Sequence, residues 1–301
     1  MAAGIETRAT ERSEARNERL DALVPGELLE ALLDGQAAAL AAVRAALPAI
    51  EAARAHALER LRRPASRLAY AGAGTSGRLA MLDGVELGPT FDWPAERLVV
   101  LLAGGEASIA TAREGAEDDR DAAVHAVEAS ALGPDDVLLA LAASGGTPFT
   151  LATVETARSR GALTVGLANN PGSPLLQAAE CPVLLDTGPE VLAGSTRLAA
   201  GTAQKIALNL LSTALMVGLG KVYRGRMVDM RPTNAKLQAR AVAMVQDLVP
   251  CDGAAARDAL DATGFRVKPA ILVARGLSPD EADRRLAAAG GNLRAALAES
   301  G

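Results

Sequence analysis

The sequence predicts an α/β fold: a parallel sheet covered on both faces by helices, with a helical segment before it and a small helical module after it. Three observations lead there. Short apolar runs alternate with stretches of helical spacing through the middle of the chain. Two of those runs end in loops that open onto helices, Gly72-Ala73-Gly74-Thr75-Ser76-Gly77-Arg78 and Ser144-Gly145-Gly146-Thr147-Pro148. The tail after Pro250 keeps helical periodicity and has no strand-like run.

Taken in order, residues 1–20 are polar and are expected to be loosely ordered, or ordered only against a partner. Helical spacing runs from Pro25 to Leu61, with Leu28, Leu29, Leu32, Leu33, Leu40, Val43 and Leu47 as the expected apolar face. Arg62-Arg63-Pro64 ends it. Strands are expected over 67–71, 97–102, 136–142, 163–168 and 182–186. Helices are expected between them, near 77–87, 106–116, 118–130, 148–160 and 173–179, followed by a long helix over 197–218. Such alternation favours a parallel sheet. Ligands of such sheets sit outside the carboxyl ends of the strands, where both Gly/Ser/Thr loops fall. The tail carries helical segments near 253–262, 267–274, 278–289 and 291–298. Ser278-Pro279-Asp280-Glu281 is a helix start, with a capping serine, a first-turn proline and acids that complement the helix dipole. The chain therefore divides into an N-terminal helical segment (1–62), a sheet domain (63–249) and a C-terminal helical domain (250–301). The last is read as structural or as part of a subunit interface.

Composition bounds the function. A chain of 301 residues can bury a full core. Half its residues are hydrophobic and 22% are charged, which places it among globular proteins. The net charge is −5, no basic run stands out and aromatics make up 2%, so nucleic acid is disfavoured as a partner. Cys181 and Cys251 fit no metal-ligand spacing and no disulfide framework, and read as reduced thiols of a cytoplasmic protein. The charged stretch 1–19 lacks the apolar core of a secretory signal. The apolar stretch 206–220 is too short for a bilayer and contains Asn209, so it reads as a buried helix and no membrane partner is expected.

The two loops carry the functional signal. A strand that ends in a Gly/Ser/Thr turn at a helix start presents free backbone N–H groups and hydroxyls, a natural seat for an anion. Two such seats suggest a ligand with a phosphate and several hydroxyls, such as a phosphosugar; the alternative is two ordinary turns with good N-caps. Between the loops lie two acids. Glu86 follows a mostly apolar helix and precedes Gly88-Pro89, and Glu117 opens the run Glu117-Asp118-Asp119-Arg120. Each is either a cleft carboxylate or a solvated helix-end acid, and spacing alone does not bring them together. Ser195 and Thr196 stand where the long helix should begin, with Lys205 further along it. Capping and solvation are the plain roles for Ser195 and Lys205; contact with a sugar or phosphate is the functional one. Asp229 to Leu237 reads as a polar surface turn.

Taken together, these stretches resemble the N-acetylmuramic acid 6-phosphate etherases, a family of sugar-isomerase (SIS) domain proteins. The matching segments are GAGTSGRLAMLDGVE (72–86), AGGE (103–106), EGAEDD (114–119), ASGGTP (143–148), NNPGSP (169–174), GPEVLAGSTRLAAGTAQK (188–205) and TNAKL (233–237), collinear over about residues 5–300. The resemblance implies a three-layer SIS sandwich with a five-stranded parallel sheet, N-terminal helices and a small C-terminal helical domain, working as a homodimer. It implies cleavage of the D-lactyl ether of N-acetylmuramic acid 6-phosphate to N-acetylglucosamine 6-phosphate and D-lactate, in cell-wall sugar recycling, without a metal or organic cofactor. Glu86 matches the family's proton donor and Glu117 its second catalytic acid. The reaction needs one acid protonated while the other is ionised. The SGxT loop is the phosphate cradle of SIS domains. This makes Ser144, Gly145, Gly146 and Thr147 the first expected phosphate contacts, followed by Thr75 and Ser76, then Ser195, Thr196 and Lys205.

Two departures stand out. The family usually carries arginine where this chain has Gly146, so a guanidinium is missing from the loop. It commonly carries Ser and Cys beside the donor, where this chain has Val85 and Leu87. These changes keep open a second reading, a non-catalytic phosphosugar sensor like the glucokinase regulators. A third, an aldose–ketose isomerase, fits less well, because the carboxylate pair suits elimination and no histidine sits in these motifs; His56 and His125 lie in helical segments.

Overall fold

The computed structural model describes residues 8–111 and 113–298, apart from the side chain of Arg16. Its chain forms two compact units, Met1–Gly84 with Glu96–Ser212, and Val85–Ala95 with Thr213–Gly301.

The first unit is built on five parallel strands, β1 (Leu68–Gly72), β2 (Leu98–Leu102), β3 (Val137–Leu141), β4 (Leu163–Ala168) and β5 (Cys181–Leu184), in the spatial order β2-β1-β3-β4-β5. The inner strands β1, β3 and β4 are buried at every position. This is why they read as unbroken apolar runs, whereas the edge strands β2 and β5 are only partly buried. Gly72 pairs with Leu102 on one side and Leu141 on the other, so the carboxyl ends of β1 and β3 lie level. From β1 the chain crosses to β2 on one side and returns to β3 on the other, which makes the β1/β3 end the switch point where such sheets open a crevice.

Around the sheet lie α1 (Pro25–Leu61), α2 (Gly74–Val85), α4 (Arg120–Ser130), α5 (Pro148–Ser159), α6 (Pro174–Ala178) and α7 (Ala199–Gly218). Asp83 on α2 is buried and accepts hydrogen bonds from Tyr70 on β1 (2.9 Å) and from Asn209 and Ser212 on α7 (2.7 and 3.1 Å). Burial and the adjacent Asp83 carboxylate push the Tyr70 phenol well above its usual pKa. No helix of the described chain is long and apolar enough to cross a membrane.

Four sequence expectations are corrected here. Residues 1–7 lie outside the described chain, but 8–22 form three 3-10 turns, of which the first buries Ala9 and Thr10 in the protein's own core while the described side chains of 12–22 stay exposed or half-exposed. Thr10 is fully buried; its hydroxyl and N–H face the Asn170 amide at 3.1 and 3.4 Å, and its carbonyl accepts the Gly194 N–H at 3.0 Å. The apolar face of α1 is not the leucine stripe. Ala39, Ala42, Val43, Ala46, Ile50, Ala53 and Ala57 are buried, while Leu29, Leu33, Leu40 and Leu47 are exposed. Small side chains let α1 lie close to the sheet, as Cys181 on β5 shows with its sulfur 3.4 Å from His56 Nδ1. The helix expected over 106–116 is absent. Among the described residues short 3-10 turns form at Glu106–Ser108 and Ala116–Asp118, and Gly115, inside the expected span, holds a left-handed torsion that a helix excludes. Fourth, α7 starts at Ala199, and its first N–H groups are capped not by Ser195 but by Glu190, which is 1% exposed and accepts from Ala199 and Ala200 at 2.9 Å each.

The second unit contains α3 (Leu87–Phe91), a hairpin of β6 (Val222–Tyr223) and β7 (Arg226–Met227), and α8 (Ala235–Leu248), α9 (Gly253–Ala262), α10 (Val267–Val273), α11 (Pro279–Ala288) and α12 (Leu293–Ala298). Its own core includes Val228, Met244, Val245, Leu260, Ile271, Leu286 and Leu293. Ser278 caps α11 as expected, and Glu281 returns a bond to the Ser278 N–H, which makes the cap reciprocal. Helix α8 was not expected from the sequence. Asn234, placed in a turn by its polar neighbours, accepts the Leu237 N–H at 3.0 Å and starts the helix.

Candidate functional site

At the carboxyl ends of β1 and β3 lies a cleft of about 580 Å³. The turn from β1 into α2 contributes Ala73, Gly74, Thr75 and Ser76, and the turn from β3 into α5 contributes Ala143, Ser144, Gly146, Thr147 and Pro148. Glu117 and Asp118 line it from their 3-10 turn, Thr196 from the approach to α7, and Arg8 and Glu11 from the N-terminal strap. A larger cleft of about 650 Å³ belongs to the second unit, and none of the expected binding residues lines it.

The second loop is shaped by its backbone. Gly145 has φ +66°, and a Cβ there would stand 2.1 Å from Ser173 Oγ, so no other residue fits. The Gly145 carbonyl accepts the Leu175 N–H at 2.9 Å, and the Ser144 hydroxyl accepts the Gly146 N–H at 3.2 Å. Thr147 precedes Pro148 at the start of α5, and its side chain makes no capping bond. The helix-start N–H groups and a free hydroxyl are therefore left facing the cleft side of the turn. The first loop opens at Gly74 with φ +54°, where a Cβ would lie 4.0 Å from Glu117 Oε2. Glu117 is exposed, and it also lines an adjoining hollow of about 280 Å³ with Arg78, Ser108 and Arg113.

Seven of the expected residues thus meet in one cleft: Thr75, Ser76, Glu117, Ser144, Gly146, Thr147 and Thr196. Gly145 supports it from behind. Ser195 bonds within its own turn, its N–H donating to the Leu192 carbonyl at 2.9 Å, and Lys205 is exposed on α7; neither lines the cleft. Glu86 belongs to the second unit, where it is exposed and its carbonyl accepts the Thr90 N–H at 3.2 Å as α3 begins.

Sequence reasoning missed Arg8, Glu11 and Asp118 as lining residues. The guanidinium missing from position 146 has a counterpart in Arg8, whose Nη2 stands 2.9 Å from where a Gly146 Cβ would be. The strap residues carry no local mark; burial of Ala9 and Thr10 and the bonds of Thr10 to Asn170 and Gly194 hold them at the cleft. Asp118 was visible only as one member of an acidic run.

Known proteins resemble this chain along nearly its whole length. Residues 50–158 match the glucokinase regulatory protein N-terminal SIS domain, and residues 119–214 match the SIS domain. N-acetylmuramic acid 6-phosphate etherase of Deinococcus radiodurans is 55% identical over 293 residues, covering 97% of this chain and 96% of that protein. The protein of the same name from Rubrobacter xylanophilus is 46% identical, covering 96% of each chain. That from Mycolicibacterium smegmatis is 44% identical over 96% of this chain and 97% of its own length. Identity of this order along nearly the whole length, on a sheet whose switch point carries both Gly/Ser/Thr loops, places this chain in the N-acetylmuramic acid 6-phosphate etherase family.

Proposed function

We propose that this protein is a carbon–oxygen lyase that cleaves the D-lactyl ether of N-acetylmuramic acid 6-phosphate, yielding N-acetylglucosamine 6-phosphate and D-lactate in the recycling of cell-wall amino sugars. The observation that carries this reading is the 55% identity to an etherase across 97% of the chain.

The chemistry follows from the substrate. In the open-chain sugar, the C2 proton lies beside the aldehyde, which acidifies it. Glu117 takes that proton, and the enolate-like electrons expel the oxygen from C3. Glu86 delivers a proton to the departing lactyl oxygen. Water then adds at C3 of the unsaturated aldehyde, C2 is reprotonated, and the two acids return to their starting states. Each such transfer is typically worth ~10²–10⁴-fold. Glu117 is supported in this role by its place in the cleft, and Glu86 by its position in the matching segment 72–86. Ser144, Thr147 and the Gly145–Gly146 backbone hold the phosphate, with Thr75, Ser76 and Thr196 beside them. Energy from these non-reacting contacts holds the reacting carbons in place.

The enzyme works as a homodimer in the cytoplasm. The exposed stripe Leu29, Leu33, Leu40 and Leu47 on one face of α1 supports self-association, and two free cysteines support a reducing compartment. The partial match to the glucokinase regulator domain favours a second reading, a phosphosugar sensor without turnover. One assay separates them. Purified protein incubated with N-acetylmuramic acid 6-phosphate releases D-lactate, and Glu117→Gln loses that release while still binding hexose phosphate. Binding without release in the native protein would establish the sensor instead.

A further inference from the structure

Three acids, Glu11, Glu117 and Asp118, line the main cleft, and a phosphomonoester brings up to two more negative charges into it. Hydroxyls and backbone N–H groups alone would have to hold that dianion against three carboxylates. Among the described residues lining the cleft, Arg8 is the single cation. Its guanidinium forms no ion pair or hydrogen bond with the described chain, so its donors are uncommitted. It stands directly over Gly146: a Cβ built there would lie 2.9 Å from Arg8 Nη2 and 4.0 Å from Ser144 Oγ. The missing side chain at 146 is what makes room for it.

The strap that carries Arg8 is pinned at Thr10, by the Asn170 amide on one side and the Gly194 N–H on the other. The same Asn170 amide donates to the Ala143 carbonyl at 3.0 Å, at the root of the Ser144–Thr147 loop. Arg8 and the loop are therefore held in register by one buried side chain. A planar guanidinium in that place matches two oxygens of a phosphate at once.

We propose that Arg8 is the phosphate-recognition residue of this enzyme, a cation supplied by the N-terminal strap to a loop that has none of its own. This rests on the reading of the Ser144–Thr147 loop as the phosphate seat. Arg8 acts on binding of the non-reacting end of the substrate, so its loss raises KM and spares kcat. It also sets the preference for phosphorylated over free sugar.

The test compares native protein, Arg8→Ala, Arg8→Lys and the double variant Arg8→Ala/Gly146→Arg. KM and kcat are measured for D-lactate release, and calorimetry gives Kd for N-acetylglucosamine 6-phosphate and for N-acetylglucosamine. Arg8→Ala should weaken both KM and the phosphosugar Kd by about 10- to 100-fold, as expected for loss of a charge-assisted pair. The kcat and the weak binding of the unphosphorylated sugar should stay within about twofold, Arg8→Lys should fall between, and the double variant should recover most of the loss. An unchanged phosphosugar Kd in a folded Arg8→Ala protein would overturn the proposal, as would an equal loss for both sugars. Absence of lactate from the native protein with Arg8-dependent phosphosugar binding intact would refute the etherase reading and leave Arg8 in its role. Lactate release with Arg8-independent binding would do the reverse.

Discussion

Gly145 sits at φ +66° with Ser173 Oγ 2.1 Å from where a Cβ would be. Both the torsion and the contact exclude a side chain. Gly145→Ala should cost about 1–3 kcal/mol from the strained torsion alone. Thermal unfolding checks this, and calorimetry with N-acetylglucosamine 6-phosphate should show weaker binding because the Ser144–Thr147 turn can no longer close. The hydroxyls and glycines of both loops were legible in the sequence because a strand-to-helix turn needs those residue types at adjacent positions. Arg8 was not legible. Its role depends on a fold that brings the strap beside a loop far along the chain, and no local pattern encodes that proximity. Glu117 stands between these cases: the motif marked it, and the fold supplied its neighbours Gly74 and Ser144.

At the level of elements, the start of α7 shows a capping role passing from the expected residue to a distant one. Glu190 accepts two helix-start N–H groups from a buried position, while Ser195 turns back on its own loop. Glu190→Ala should therefore lower stability by about 2–3 kcal/mol, and Ser195→Ala by under about 0.5 kcal/mol, measured by denaturant unfolding. Equal losses would return the cap to Ser195. Helix α1 presents a second case. Its periodicity was legible but its buried face was not, because alanines at 39, 42, 46, 53 and 57 are buried while larger leucines face outward. Hydrophobicity alone picks the leucines; close packing of a helix picks the small residues. The outward stripe is the proposed self-association face, so sedimentation analysis should find the native protein as a dimer and Leu33→Asp with Leu40→Asp as a folded monomer. Helix α8 and the turns that replace the helix expected over 106–116 share one cause, local torsion and capping choices that apolar spacing does not report.

For the whole molecule, the α/β order, the parallel sheet and the helical tail were all legible, because each rests on alternation or periodicity over many residues. The acid limit of the fold is set in part by Asp136. Burial acts to raise its pKa, but the Arg67 guanidinium and the N–H groups of Gly133 and Arg67 outweigh it and hold the carboxyl below its ordinary value. A carboxyl depressed in the folded state stabilises the protein above its unfolded pKa of about 4 and loses that contribution as pH falls through the folded value. The melting temperature should fall as pH drops below about 4. Asp136→Asn should melt lower at neutral pH and lose less on acidification. A variant whose pH dependence matches the native protein would remove Asp136 from that account.

In the proposed reaction the C3–O bond breaks by elimination and is replaced from water. The direct measurement is turnover of N-acetylmuramic acid 6-phosphate in water enriched in oxygen-18 and deuterium, with both products read by mass spectrometry. The account requires D-lactate free of heavy oxygen, because the ether oxygen leaves with it. It also requires an N-acetylglucosamine 6-phosphate bearing deuterium at C2 and heavy oxygen at C3, with all turnover lost in Glu117→Gln. Heavy oxygen in the lactate hydroxyl, or a sugar product without deuterium at C2, would contradict it.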